Sequence, residues 1–141
     1  MARDIIQEAI EKQIPIRGAL ACGVLTVDVA NQLFFGQPLV DAYEMEEKGV
    51  KYYGVLVHSS AENQVVELNS MMMGKGESPL FKDIQAPLKY GKVNHYEISW
   101  YFDDKEKNND LLTEIRRSVS GEPRVYIDNT REVYQRFYAE N

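Results

Sequence analysis

Four acids crowd one short stretch of this 141-residue chain: Asp41, Glu44, Glu46 and Glu47. Asp41 and Glu44 stand at i, i+3, on one side of the helix expected there, and carboxylates so placed could hold a divalent cation. A metal site needs ligands converging from several elements, so a run of acids on one helix reads first as a solvated face. His58-Ser59-Ser60 offers a second chemistry. A histidine that ends a buried strand just before a helix start sets a proton donor beside free backbone N–H groups, and a ligand could be held by His58, Ser59 and Ser60. The plain alternative is a strand-end histidine with one hydrogen bond satisfied. His95, among Tyr96, Ile98 and Trp100, reads as a half-exposed sheet residue. Cys22 is the sole cysteine, in Leu20-Ala21-Cys22-Gly23, where burial would raise the thiol pKa and block access. These residues make no complete catalytic set.

Other charged and soft groups read as ordinary surface or core. Arg116-Arg117 with Arg124 is a small basic patch that fits a solvated helix face, and Asp103-Asp104 with Lys105-Glu106-Lys107 is a solvated loop. Met71-Met72-Met73 could form an adaptable contact surface, or helix core with a frayed end. Tyr134, Phe137 and Tyr138 could serve an interface or the core.

Regular elements must position these groups. Ala2–Gln13 reads as an amphipathic helix, with Ile6, Ala9, Ile10 and Gln13 at helical spacing, stopped by Pro15. In Ile16–Asp28, small and apolar residues occupy both alternation phases, the pattern of a strand covered on both faces. Asp28–Gln32 is a polar turn, and Leu33-Phe34-Phe35 returns as partner strand. Ile14 to Met45 is thus expected to be a buried hairpin running into a helix, which Pro38 opens and Gly49 stops. Tyr52–His58 is expected as a buried strand. Ser59-Ser60-Ala61-Glu62 fits a capping box before a helix whose stripe is Ala61, Val65, Leu68 and Met72. Gly74–Pro79 is a loop. Ile84–Leu88 and Val93–Phe102 are expected strands, Asp103–Asn109 a turn, and Asp110–Val119 a helix. Gly121–Pro123 is expected as a turn, Arg124–Ile127 as a short strand and Asn129–Tyr138 as a last helix.

Two blocks carry a resemblance. Ile16-Arg17-Gly18-Ala19-Leu20-Ala21-Cys22-Gly23, then Phe35-Gly36, then Ala42-Tyr43-Glu44-Met45-Glu46, is similar to the second half of the class III nucleotidyl (adenylate/guanylate) cyclase homology domain. There an Arg-x-Gly strand leads through a hairpin to a helix. Tyr126 to Phe137, around Asn129-Thr130, resembles the ending of uncharacterised bacterial proteins that contain such a domain. The resemblance implies an α+β fold over residues 1–141: a ferredoxin-like or cyclase-like α/β sandwich with a mainly antiparallel sheet, its N-terminal strands missing, plus a C-terminal extension. It also implies that the chemistry is lost. The strands bearing the two metal-binding aspartates and the purine-reading lysine would precede Arg17, where only one helix is expected. The purine-contacting acidic position falls at Leu33, the ribose-orienting asparagine at Val40 and the charge-stabilising arginine at Glu44, where a carboxylate would repel a triphosphate. Arg17 belongs to the strand signature and is expected to be a framework residue. The missing strands fit either a piece of a longer protein or a short natural form.

Composition sets the bounds. The length suits one domain able to bury an ordinary core. A net charge of −6 gives no general pull toward nucleic acid or anionic membrane, so neither is expected as a partner. No apolar run approaches a membrane span, the N-terminus is too charged for a signal peptide, and one cysteine allows no internal disulfide; a cytoplasmic protein is expected. No cofactor is implied. Three functions compete. The first is an inactive cyclase-homology domain acting by association, with a second copy or a missing N-terminal segment covering an open sheet edge. The second is a nucleotide or small-ligand sensor. The third is an enzyme with a remodelled site, which requires His58, Asp41 and Glu44 to meet around one pocket.

Overall fold

The structure, a computed structural model, describes residues 2–139. Helix α1, Ala2–Glu11, turns Ile6 and Ile10 inward. It ends in a Schellman turn: Gln13 adopts a left-handed φ of 60°, the Ile14 N–H donates to the Ala9 carbonyl, and the Gln13 N–H donates to that of Ile10. Strand β1, Gly18–Leu20, follows. Strands β2, Thr26–Asp28, and β3, Leu33–Phe35, lead into helix α2, Gln37–Lys48. Strand β4, Val55–Val57, is followed by a 3-10 turn at Ser59–Ala61 and helix α3, Glu62–Gly74. Strands β5, Phe81–Leu88, and β6, Gly91–Ile98, precede helices α4, Lys105–Ser118, and α5, Glu122–Phe137.

The molecule is α+β, with a mixed four-stranded sheet in the order β1-β4-β6-β5 and a separate antiparallel pair, β2-β3. In the larger sheet β1 runs parallel to β4, Gly18 opposite Val55, while β4-β6 and β5-β6 are antiparallel. Successive strand residues point to opposite faces, so Leu56 and Val57 enter different cores. Val57 joins Ile6, Ile10, Val65, Phe81, Ile98, Trp100, Leu112 and Ile115. Leu56 joins Val50, Tyr52, Ile84, Ala86, Leu88 and Val133, with Met45 of α2 packed alongside.

Several expectations are corrected. The Ile16–Asp28 strand breaks after Leu20, and the hairpin beyond it is exposed, not buried. Pairing length is the cause. β4 ends at Val57, and the His58 N–H donates to the Leu20 carbonyl as the last rung, so the chain beyond Leu20 leaves the main sheet and pairs only locally, β2 with β3. The Tyr52–His58 strand shrinks to Val55–Val57 for the same reason. Arg124–Ile127 is not a strand but the first turns of α5. Pro123 sits in that helix's first turn, and Tyr126, Ile127, Thr130, Val133 and Tyr134 are buried at helical spacing. The turn expected over Asp103–Asn109 is largely helix: Asp104 caps α4, its carboxylate accepting from the Lys107 N–H at 3.1 Å.

Candidate functional site

His58 forms the expected strand end, but the capping box differs. His58 itself is the N-cap of the 3-10 turn, its Nδ1 accepting from the Ser60 N–H at 3.1 Å, and Glu62 opens α3 instead of reaching back to Ser59. Ser60 Oγ lies 2.9 Å from the same Nδ1 and accepts from the Cys22 N–H at 3.1 Å. The Ser60 hydroxyl is thereby engaged within the protein. An Nδ1 that accepts a backbone N–H carries no proton of its own, so neutral His58 holds its proton on Nε2. His95 has the reverse arrangement. Its Nδ1 lies 3.2 Å from the Val57 carbonyl, which accepts only, so Nδ1 is the protonated atom and Nε2 keeps its lone pair.

His58, Ser59 and His95 line one open cleft of about 350 Å³ with Glu44, Met45, Lys48, Gly49 and Tyr90. Its wall thus offers an imidazole donor from His58 and an imidazole acceptor from His95. This arrangement disfavours a metal held by both rings, because His58 Nε2 could ligate only by giving up the Ser60 cap. Among the described residues no group of three His, Cys, Asp or Glu side chains is placed to hold a metal ion.

The acids of α2 point to separate partners. Asp41 Oδ1 accepts from the Gln37 amide at 2.8 Å, and its Oδ2 is 3.9 Å from His58 Nδ1. Glu44 pairs with Lys48 at 3.3 Å. Glu46 holds Arg17 Nε at 2.7 Å, with Glu47 3.9 Å from the same guanidinium. Arg17 also donates to Tyr126 Oη at 3.3 Å and lies over that ring, so it joins the start of β1 to α2 and α5. Of the three groups a remodelled enzyme site requires, His58 and Glu44 share the cleft while Asp41 approaches His58 from outside its lining.

Cys22 is exposed, against the expectation of burial, because it lies past the end of β1. It borders an apolar groove of about 250 Å³ formed with Leu20, Ala21, Ala61, Gln64, Val65, Leu68 and Phe81. Leu68, expected in the α3 core stripe, is 40% exposed, and Met71 and Met73 also face outward. Tyr134 lies in the core that holds Val57, Phe137 packs against the core that holds Leu56, and Tyr138 packs against both. Arg116 is held by Asp128 at 2.6 Å, and Arg124 Nε donates to the Val119 carbonyl.

The least expected surface is the hairpin together with the first two turns of α2. Val24, Leu25, Val27, Val29, Leu33, Phe34, Phe35, Leu39, Val40 and Tyr43 are all between 43% and 87% exposed. Register places Val27 opposite Phe34 on one face and Leu33 opposite Asp28 on the other, so neither face is covered. Two strands of three residues are marginal alone in water. The family-derived positions Leu33 and Val40 both lie on this apolar surface.

One buried acid carried no sequence signal. Glu97 on β6 is fully buried, accepting from the Tyr52 hydroxyl at 2.5 Å and the Tyr138 hydroxyl at 2.6 Å. Burial pushes its carboxyl up to about 7, against the lowering effect of the two tyrosine hydrogen bonds and of Lys82. Comparison of the chain with family models, curated proteins and solved structures returns no match.

Proposed function

We propose that the chain is a catalytically inactive cyclase-homology domain that acts by association, with a second copy of itself as partner. The observation that carries this reading is the uncovered hairpin. At the exposures seen, the seven large apolar residues from Val24 to Phe35, with Leu39, Val40 and Tyr43 on α2 beside them, present on the order of 1,000 Å², against the roughly 800 Å² per partner of a standard stable interface. Between Cys22 and Val40 the only charged residue is Asp28, so two copies can meet here without opposing charges at the centre. The outer edges of β2 and β3 carry no strand partner among the described residues, and two hairpins related by a two-fold axis can pair edge to edge. Just before the hairpin in the chain, Leu20, Ala21 and Cys22 border a second apolar groove against Val65 and Leu68 of α3. The element order from Arg17 to Glu46 (strand, hairpin, helix) agrees with the cyclase resemblance. Leu33, Val40 and Glu44 supply none of the chemistry that such a domain would need.

Hydrogen exchange across a concentration series tests this. Amides of Thr26–Asp28 and Leu33–Phe35 are expected to exchange more slowly as protein concentration rises, while those of β5 and β6 stay constant. Concentration-independent exchange throughout would remove the proposal.

The donor and acceptor imidazoles of the His58–His95 cleft favour a second reading, a small-ligand sensor. Melting the protein with ATP, GTP or cyclic nucleotides plus Mg²⁺ or Mn²⁺ separates the two. A ligand at about 100 times its Kd stabilises by ~2.7 kcal/mol, and no shift at millimolar nucleotide would end this reading for nucleotides.

A further inference from the structure

On another part of the molecule a cleft of about 570 Å³ opens where the starts of α1, β5 and α4, the segment after β6 and the end of α5 meet. Its size is that of a small-molecule site. Three cations line it, Arg3, Lys82 and Lys105, and among its lining residues they face one carboxylate, Asp103. That balance is opposite in sign to the whole chain, whose net charge is −6. Clefts of one sign concentrate counter-charged ligands.

Part of this charge has a structural use. Lys82 Nζ donates to the Phe137 carbonyl and Lys105 Nζ to the Ala139 carbonyl, so both ammonium groups complement the C-terminal end of α5. Each retains two further N–H groups. Arg3 donates to the Tyr101 carbonyl at 3.4 Å and keeps the rest of its fork.

Helix capping leaves the tyrosines unexplained. Tyr101 and Tyr134 line the same cleft, both more than nine-tenths buried, and their hydroxyls have no hydrogen-bond partner. A buried hydroxyl without a partner costs stability, and each such group calls for a reason. Burial pushes the Tyr101 phenol well up, so it stays a donor. The two hydroxyls are themselves closed off from the cleft's solvent, so its accessible donors are the ammonium and guanidinium groups, which fit a ligand whose polar atoms only accept, the character of an oxyanion.

We propose that this cleft binds a small molecule bearing a carboxylate or phosphate, with Arg3, Lys82 and Lys105 as its charged partners. The site shares no lining residue with the His58 cleft and lies outside the hairpin surface, so it stands apart from the association reading.

Calorimetric titration of the full chain with inorganic phosphate and, separately, with citrate, at ionic strength fixed by chloride, tests it. Saturable binding of at least one is expected; tighter phosphate assigns a phosphoryl ligand, tighter citrate a carboxylate. Lys105→Gln is expected to weaken binding about tenfold, the effect of losing one charge-assisted contact. Tyr134→Phe is the control: it removes a hydroxyl closed off from the cleft and without a protein partner, so the variant should melt no lower than the parent and bind as the parent does. No saturable binding of either anion at millimolar concentration would overturn the proposal, as would binding unchanged in Lys105→Gln.

Discussion

At the scale of single residues, the decisive groups are those whose partners fix their protonation. Glu97 is the clearest. Its folded-state pKa, about 7, lies above the ordinary value of 4.5, so between these pH values the folded chain keeps a proton that the unfolded chain has lost. The stability this confers is fully present below pH 4.5, falls as pH rises through about 7, and is level above. The whole effect is about 3 kcal/mol. The groups facing Glu97 are Tyr52, Tyr138, Tyr101 and Lys82, and the tyrosines stay neutral throughout that range because burial raises their phenols. Glu97→Gln should therefore flatten the dependence of melting temperature on pH between pH 5.5 and 8. A variant with the parent's slope would show that another group titrates. His58 was legible as a candidate because a histidine at a strand end draws attention by type, while His95 read as a half-exposed sheet residue, its place within β6. Their opposite tautomers were not, since these depend on the Ser60 N–H and the Val57 carbonyl, contacts made only by the folded chain.

At the scale of elements, the hairpin hangs on Gly36. Its φ is +152°, and a Cβ there would stand 2.5 Å from the Val24 carbonyl oxygen and 3.2 Å from Leu25 Cα, both backbone atoms. Gly36→Ala should destabilise the β3–α2 junction by about 1–3 kcal/mol, and denaturant melts compared with the parent measure it. An unchanged midpoint would mean that the hairpin tilts freely from α2. Most elements were readable from sequence: α1, the hairpin, α2, and β5 and β6 follow from periodicity and turn residues. The misreadings have physical origins. Gly18, Ala19 and Ala21 are small enough to suit a crowded strand, but smallness also tolerates exposure, and the length of β1 was set by a partner, β4, far away in sequence. At the start of α5, β-branched Val125 and Ile127 suggested a strand. The burial of Tyr126, Ile127, Thr130, Val133 and Tyr134 has helical period, and a longer window would have favoured helix. That long-range tie is visible in Thr130, whose hydroxyl accepts from the Tyr53 N–H at 2.8 Å and donates to the Tyr126 carbonyl.

At the scale of the whole molecule, an ordinary two-sided core coexists with a hairpin that is apolar on both faces and covered on neither. β1, three residues long, stands at the edge of the main sheet beside it. Among the described residues no helix is long and apolar enough to cross a membrane. Association is the account offered for the exposed apolar residues, and sedimentation equilibrium of the parent and of Phe34→Asp tests it most directly. Phe34 is 56% exposed, so an aspartate there should leave the monomer's fold and melting near those of the parent. The parent is predicted to reach twice the 16.2 kDa chain mass as concentration rises, and Phe34→Asp to remain at one chain mass. A parent that stays monomeric at every concentration, or a variant that dimerises as tightly as the parent, would contradict the account.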